Sequence, residues 1–177
     1  QIMASASPSD TISASNFQLG VVINLTPGSF SSLRMTPDPL PDWAQPDSHA
    51  DLYDGTDNLA IAFNCLIENA EGGQGNDQLL GNTGNNLLQG NAGADTLSGD
   101  SGQDTLRGGA GNDSIDGGTG TDTADFSQET APVSVILYGN QSHGLSIGVD
   151  TLTAIENIVG SNYNDLVYGD SANNLIQ

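Results

Sequence analysis

The sequence predicts an all-β fold: a parallel β-roll with short flanking strands and a proline-rich surface loop. Three observations carry that expectation. From Gly72 to Asp125 the chain divides into six consecutive nonapeptides, GGQGNDQLL, GNTGNNLLQ, GNAGADTLS, GDSGQDTLR, GGAGNDSID and GGTGTDTAD, with glycine at positions one and four of each. Position eight is a small aliphatic throughout (Leu79, Leu88, Leu97, Leu106, Ile115, Ala124), flanked by residues that a period-two strand turns outward. No long segment spaces its apolar residues as a helix would, and self-similarity at a fixed short period is the mark of a solenoid.

Each repeat divides into a six-residue turn and a three-residue strand. Two repeats make one coil, so turns on the same side recur every 18 residues. The glycines permit positive φ and let successive turns approach closely. Position six then forms two columns, with Asp77, Asp95 and Asp113 along one edge and Asn86, Asp104 and Asp122 along the other.

A longer repeat surrounds this block. SDTISAS (9–15) aligns with TDTADFS (121–127), and residues 21–25 with 133–137, at an offset of 112. IENAEGGQGND (67–77) aligns with IENIVGSNYND (155–165) at an offset of 88. Four segments follow: an N-terminal strand and capping segment (1–71), the six-nonapeptide roll (72–125), the connecting strands of a second module (126–159), and the start of a second repeat block, GSNYNDLVY and GDSANNLIQ (160–177). The first copy has 24 extra residues, which fall around a proline-rich stretch at about 34–55. Proline at that density cannot join a central strand, so a surface excursion is expected there. The second block breaks off at position nine of a repeat, and more nonapeptides are expected in the parent chain.

Composition narrows the partners. There are 22 acidic residues, 18 of them Asp, against two arginines and no lysine, for a net charge of −20. Nucleic acid and anionic membranes need basic patches and are excluded as default partners. No apolar run reaches the length of a membrane span. The lone Cys65 rules out an internal disulfide and reads as a small core residue.

Columns of carboxylates on strands about 4.8 Å apart would repel one another unless a cation lay between successive turns. Calcium suits such a place, because it takes six to eight hard oxygens in flexible geometry, here carboxylates and turn carbonyls. Magnesium tolerates that geometry poorly, and zinc would want His or Cys, which the repeats lack. The metal-free chain is expected to be largely unfolded across 72–125, metal binding serving as folding energy.

The nonapeptide resembles the GGxGxDxUx repeat of RTX proteins, a calcium-binding parallel β-roll. Upstream, VINLTPGSF and IAFNCLIENAEGGQGND resemble the segment that leads into the C-terminal roll of serralysin-type secreted metalloproteases. The tail from Phe126 resembles tandem RTX modules of large exported proteins. The resemblance implies calcium ligands at the position-six side chain and at the carbonyls of positions two and four. Those positions are Gly73, Gly75 and Asp77; Asn82, Gly84 and Asn86; Asn91, Gly93 and Asp95. They continue as Asp100, Gly102 and Asp104; Gly109, Gly111 and Asp113; Gly118, Gly120 and Asp122; and Asp165 in the second block. It also implicates Asp10, Glu68 and Glu156. A neutral amide at Asn86 is expected to give the weakest site.

The family's zinc motif HExxHxxGxxH is absent, and His49 and His143 lie far apart, so this chain is not expected to be an enzyme. The resemblance further implies export through a type I secretion apparatus and an extracellular or cell-surface location. Two other roles stay open: a structural or adhesive module of a large surface protein, or a carbohydrate-facing module of a polysaccharide-modifying enzyme. The 34–55 loop, with Trp43 and Tyr53, would supply a glycan or protein contact.

Overall fold

The structure is a computed structural model that describes residues 10–31, 59–60 and 66–177. In chain order its strands are β1 (Thr11–Ser13), β2 (Val22–Asn24), β3 (Phe30–Ser31), β4 (Leu59–Ala60), β5 (Asn69–Glu71) and β6 (Gln78–Asn82). Next come β7 (Leu87–Ala92), β8 (Thr96–Gly102), β9 (Thr105–Ala110), β10 (Ser114–Asp116), β11 (Thr119–Gly120) and β12 (Thr123–Asp125). The last six are β13 (Val133–Ile136), β14 (Gln141–Gly144), β15 (Gly148–Thr153), β16 (Asn157–Val159), β17 (Leu166–Tyr168) and β18 (Leu175–Ile176). Among the described residues the only helical element is a 3-10 turn at Leu137–Gly139.

Most strands form two facing sheets, with β3–β4 a separate pair and β11 pairing only with β8. One, in the order β1-β5-β7-β9-β12-β16-β18, is parallel throughout. The other runs β2-β6-β8-β10-β15-β14-β13-β17. Within the nonapeptide block every pairing is parallel and joins residues one coil apart: Gln78 with Thr96, Thr96 with Ser114, Leu87 with Thr105 and Thr105 with Thr123. This is the two-repeat coil that the spacing predicts.

Position eight supplies the interior. Ile23, Leu79, Leu97, Ile115 and Leu152 stand in register on one sheet, all buried. Ile12, Ala70, Leu88, Leu106, Ala124 and Ile158 do so on the other, also buried. The core is therefore two aliphatic stacks back to back, each side chain resting on its equivalent one coil away. At roughly 1.5–3 kcal/mol per buried aliphatic, so thin a core stabilises the fold only modestly.

The long repeat is visible as geometry. β1 pairs with β5 through Thr11 and Asn69, and β12 pairs with β16 through Thr123 and Asn157. β2 pairs with β6 through Val22 and Gln78, and β13 with β17 through Ser134 and Leu166. In both cases the separation shortens by 24 residues from first copy to second, the length of the extra segment in the first copy. The second module continues the stack of the first, since β10 pairs with β15 and β12 with β16. One interruption occurs, on one face only. There β13 pairs antiparallel with β14, and β14 antiparallel with β15, before β15 rejoins the roll. His143 thus lies within strand β14.

In the first copy the excursion leaves and re-enters at the antiparallel pair β3–β4. The proline-rich segment, with Trp43, His49 and Tyr53, lies outside the described residues, as does Cys65.

Candidate metal centre

The position-six side chains are the rungs of two hydrogen-bonded columns. On one edge, backbone N–H groups donate from Asp77 to Asp95 Oδ1 (2.8 Å), from Asp95 to Asp113 Oδ1 (2.9 Å) and from Asp113 to Asp150 Oδ1 (3.0 Å). On the other they donate from Asn86 to Asp104 Oδ1 (2.7 Å), from Asp104 to Asp122 Oδ1 (2.8 Å) and from Asp122 to Glu156 Oε2 (2.8 Å). One oxygen of each group is thus fixed by the coil before it. The second oxygen divides the turns into two kinds.

In four turns the acceptor left over (for the asparagines their single oxygen) is satisfied within the turn itself. The position-two N–H donates from Gly73 to Asp77 Oδ2 (2.6 Å), from Asn82 to Asn86 Oδ1 (2.8 Å), from Ser161 to Asp165 Oδ2 (2.6 Å) and from Asp170 to Asn174 Oδ1 (2.9 Å). In the other four, position two takes a positive φ (Asn91 78°, Asp100 76°, Gly109 95°, Gly118 90°) and turns its N–H away. The Oδ2 atoms of Asp95, Asp104, Asp113 and Asp122 are then buried with no hydrogen-bond partner. A buried carboxylate oxygen without a donor is costly, and these four stand two to a column, Asp95 and Asp113 on one edge and Asp104 and Asp122 on the other.

The electrostatics follow the geometry. Burial pushes Asp95 up to about 7, and the nearby carboxylates of Asp113 and Asp77 add to the rise. Burial likewise raises Asp104 to about 6, helped by Asp122 and Asp100, and Asp113 to about 6, helped by Glu129. Asp122 is raised by burial and by the charges of Glu156 and Asp116. At Asp165 burial acts in the same direction, but bonds from the Ser161 hydroxyl and from the Val133 and Ser161 N–H groups outweigh it and hold the carboxyl below its ordinary range.

Backbone oxygens complete the surroundings. The position-four carbonyls of Gly75, Gly84, Gly93 and Gly102 lie against Gly93, Gly102, Gly111 and Gly120 of the next same-side turn. The position-two carbonyls of Asn91 and Asp100 lie against Gly109 and Gly118. A Cβ on Gly111, at φ 146°, would overlap the Gly93 oxygen, so the stacking requires glycine there. At Gly90 and Gly99 the space a Cβ would fill is bounded by the unpartnered carboxylate oxygen (Asp95, Asp104) and by the carbonyl of Gly108 or Gly117 one coil on. Oxygens of two turns therefore converge at the open carboxylates of Asp95 and Asp104. Among the described residues no three His, Cys, Asp or Glu side chains cluster, which suits a site built from one carboxylate per turn and main-chain carbonyls. An all-oxygen, anionic and partly main-chain donor set is what calcium takes.

The remaining expected residues fall into place as follows. Asp10 and Glu68 meet where the first coil starts: the Asp10 N–H donates to Glu68 Oε2 (2.9 Å), and Asp10 Oδ2 is buried without a partner. Asp122 and Glu156 repeat that arrangement in the second module. Asp77 has both oxygens occupied, by the N–H groups of Val21 and Gly73. The Asn86 amide is likewise engaged, its Nδ2 donating to Glu68 O (2.9 Å). Asn82 points inward and donates to the carbonyls of Ile67 and Leu25. Asp150, Ser142 and Ser146 were not among the sequence candidates. The signal for Asp150 and Ser146 is LSIGVDTLT (145–153), which keeps glycine at position four, Asp at six and Leu at eight but has lost the glycine at position one.

The profile of the RTX calcium-binding nonapeptide repeat matches the chain in four copies, over residues 71–106, 90–124 and 148–177. No curated protein matches the chain.

Proposed function

Because residues 71–124 and 148–177 are RTX calcium-binding nonapeptide repeats, we propose that this chain is a calcium-folded module of a secreted bacterial protein, exported unfolded and wound into its roll where calcium is abundant. The repeats bind several calcium ions. One observation carries the folding role: four interior turns each aim a buried, unpartnered carboxylate oxygen along the stack. Calcium supplies the positive charge that those oxygens lack. The chain's part is to hold Oδ1 by the N–H of the preceding coil, turn the position-two N–H aside, and bring carbonyls of two coils alongside Oδ2. Asp95, Asp104, Asp113 and Asp122 hold the ions in the nonapeptide stack, and Asp10 with Glu68 forms a further site at its start. The turns at Asp77, Asn86, Asp165 and Asn174, closed by their own N–H groups, act as caps that need no metal.

In this reading the module has no catalytic role of its own. The upstream segment's likeness to the serralysin type supports a secreted hydrolase as the parent, with type I export of the unfolded chain. A second reading, a structural module of a large surface protein, is favoured by the way the second module extends the first through β10–β15 and β12–β16. No helix of the described residues is long and apolar enough to cross a membrane. Calcium titration of the chelator-treated chain at pH 7, followed by far-ultraviolet circular dichroism, tests the folding role. A cooperative gain of β signal is expected, and a spectrum indifferent to calcium and chelator would overturn it.

A further inference from the structure

Resting on the calcium reading above, we propose a cation site at the junction between the two modules, held by Asp113 on one side and by the Leu145–Asp150 turn, with Ser146, on the other. The column of position-six rungs does not stop where the nonapeptides stop. The Asp113 N–H donates to Asp150 Oδ1 (3.0 Å), the Thr151 N–H to the Asp113 carbonyl (2.8 Å), and the Val149 N–H to Asn112 Oδ1 (2.9 Å). Thr96 to Asp77, Ala94 to Asn76 and Asp77 to Asp95 make the same three bonds inside the roll. Gly148 takes φ 75° and lies against the Gly111 carbonyl, as the position-four glycines do one coil apart. Residues 145–150 are thus a degenerate turn in full register, supplied by the β14–β15 hairpin.

Two buried oxygens at this junction have no hydrogen-bond partner: Asp113 Oδ2 and Ser146 Oγ. Asp113 is 3% exposed. Ser146 stands at position two of the degenerate turn, two residues before the glycine that stacks on Gly111. Unlike the position-two residues of the open turns, it does not take a positive φ, so the oxygen it adds beyond its main chain is the buried Oγ. Asp150 itself is closed, because the buried Ser142 hydroxyl donates to its Oδ2 (2.7 Å). That bond does for Asp150 what the Gly73 N–H does for Asp77 at the other end of the column. The column therefore reads closed, open, open, closed. Its second open place is half built by residues outside the regular nonapeptides, and a divalent cation there would tie the hairpin to the first module.

The test is calorimetric calcium titration of the full chain, comparing wild type with Ser146→Ala and Ser146→Asp. Losing one neutral oxygen is expected to weaken one binding step about tenfold, and adding a carboxylate to strengthen that step by a similar factor. The other steps are expected to stay where they are. Hydrogen exchange at Val149 and Thr151 should follow that one step, faster in Ser146→Ala and slower in Ser146→Asp at limiting calcium. Binding steps unchanged in both variants, with the wild type taking up calcium normally, would overturn the junction site alone. A wild type that takes up no calcium would overturn the calcium reading and the junction with it.

Discussion

Replacing Asp95 with asparagine is expected to move the metal-free and calcium-bound forms in opposite directions. Asp95 is 2% exposed, and burial together with Asp113 and Asp77 pushes its carboxyl from 3.8 to about 7. Keeping it ionised in the metal-free roll at pH 7 or above therefore costs about 4 kcal/mol, at ~1.4 kcal/mol per tenfold. Asn86 shows that an amide fits this position, with Oδ1 accepting an N–H and Nδ2 finding a carbonyl. Asp95→Asn keeps the acceptor for the Asp77 N–H and removes the buried charge. If Nδ2 finds no acceptor, the loss is about 1–2 kcal/mol, and the metal-free fold still gains about 2–3 kcal/mol. The sign with pH follows from the raised value. Such a group's contribution to the metal-free fold is fully present below about 3.8 and is lost as pH rises through about 7. Circular dichroism in chelator from pH 3.5 to 8 should show the variant keeping its β signal to higher pH than wild type. In calcium the same variant should be the less stable, with one binding step weakened. A variant that loses its metal-free β signal at the same or lower pH would refute the reasoning.

Three further outcomes follow from the same geometry. Calcium affinity should fall as pH drops from 7 to 5, because protons compete at Asp95, Asp104 and Asp113, raised to about 7, 6 and 6; titrations at fixed ionic strength check this. Gly111→Ala places a Cβ against the Gly93 oxygen at a φ of 146°, and should lower the calcium-saturated fold by at least about 1–3 kcal/mol in thermal unfolding. Asn86→Asp should add no ion in calorimetry, because the Asn82 N–H already fills that turn, and should cost about 1–2 kcal/mol through the lost Nδ2 bond to Glu68.

Much of this architecture is legible in the sequence because nine residues are both the chemical and the structural period. Leu79, Leu97 and Ile115 could be placed on one inner face from spacing alone, and the offsets of 112 and 88 correctly made β12 the counterpart of β1 and β16 that of β5. Which turns are open was not legible. GGQGND and GNAGAD carry the same motif, yet Asp77 is closed and Asp95 open. The difference lies in what each turn rests on. The 72–77 turn packs on the loop at 14–20, with the Gln74 N–H bonded to Phe17 O (2.8 Å), whereas the 90–95 turn rests on another nonapeptide. Asp150 was missed for a related reason. Its segment keeps the register that hydrogen bonding enforces but not the position-one glycine by which the repeats are recognised. Glu68 and Glu156 fill position-six places in turns that are not nonapeptides, so the repeat alone does not mark them; the family resemblance does, and their pairing across coils shows where they stand.

The measurement that tests the account most directly is residue-resolved hydrogen exchange at pH 7, with calcium and with chelator. The N–H groups of Asp77, Asn86, Asp95, Asp104, Asp113 and Asp122, which donate to the carboxylates one coil on, should be strongly protected in calcium and exchange freely in chelator. Protection that survives the chelator at those six positions would show that the roll holds without its metal, contradicting the account.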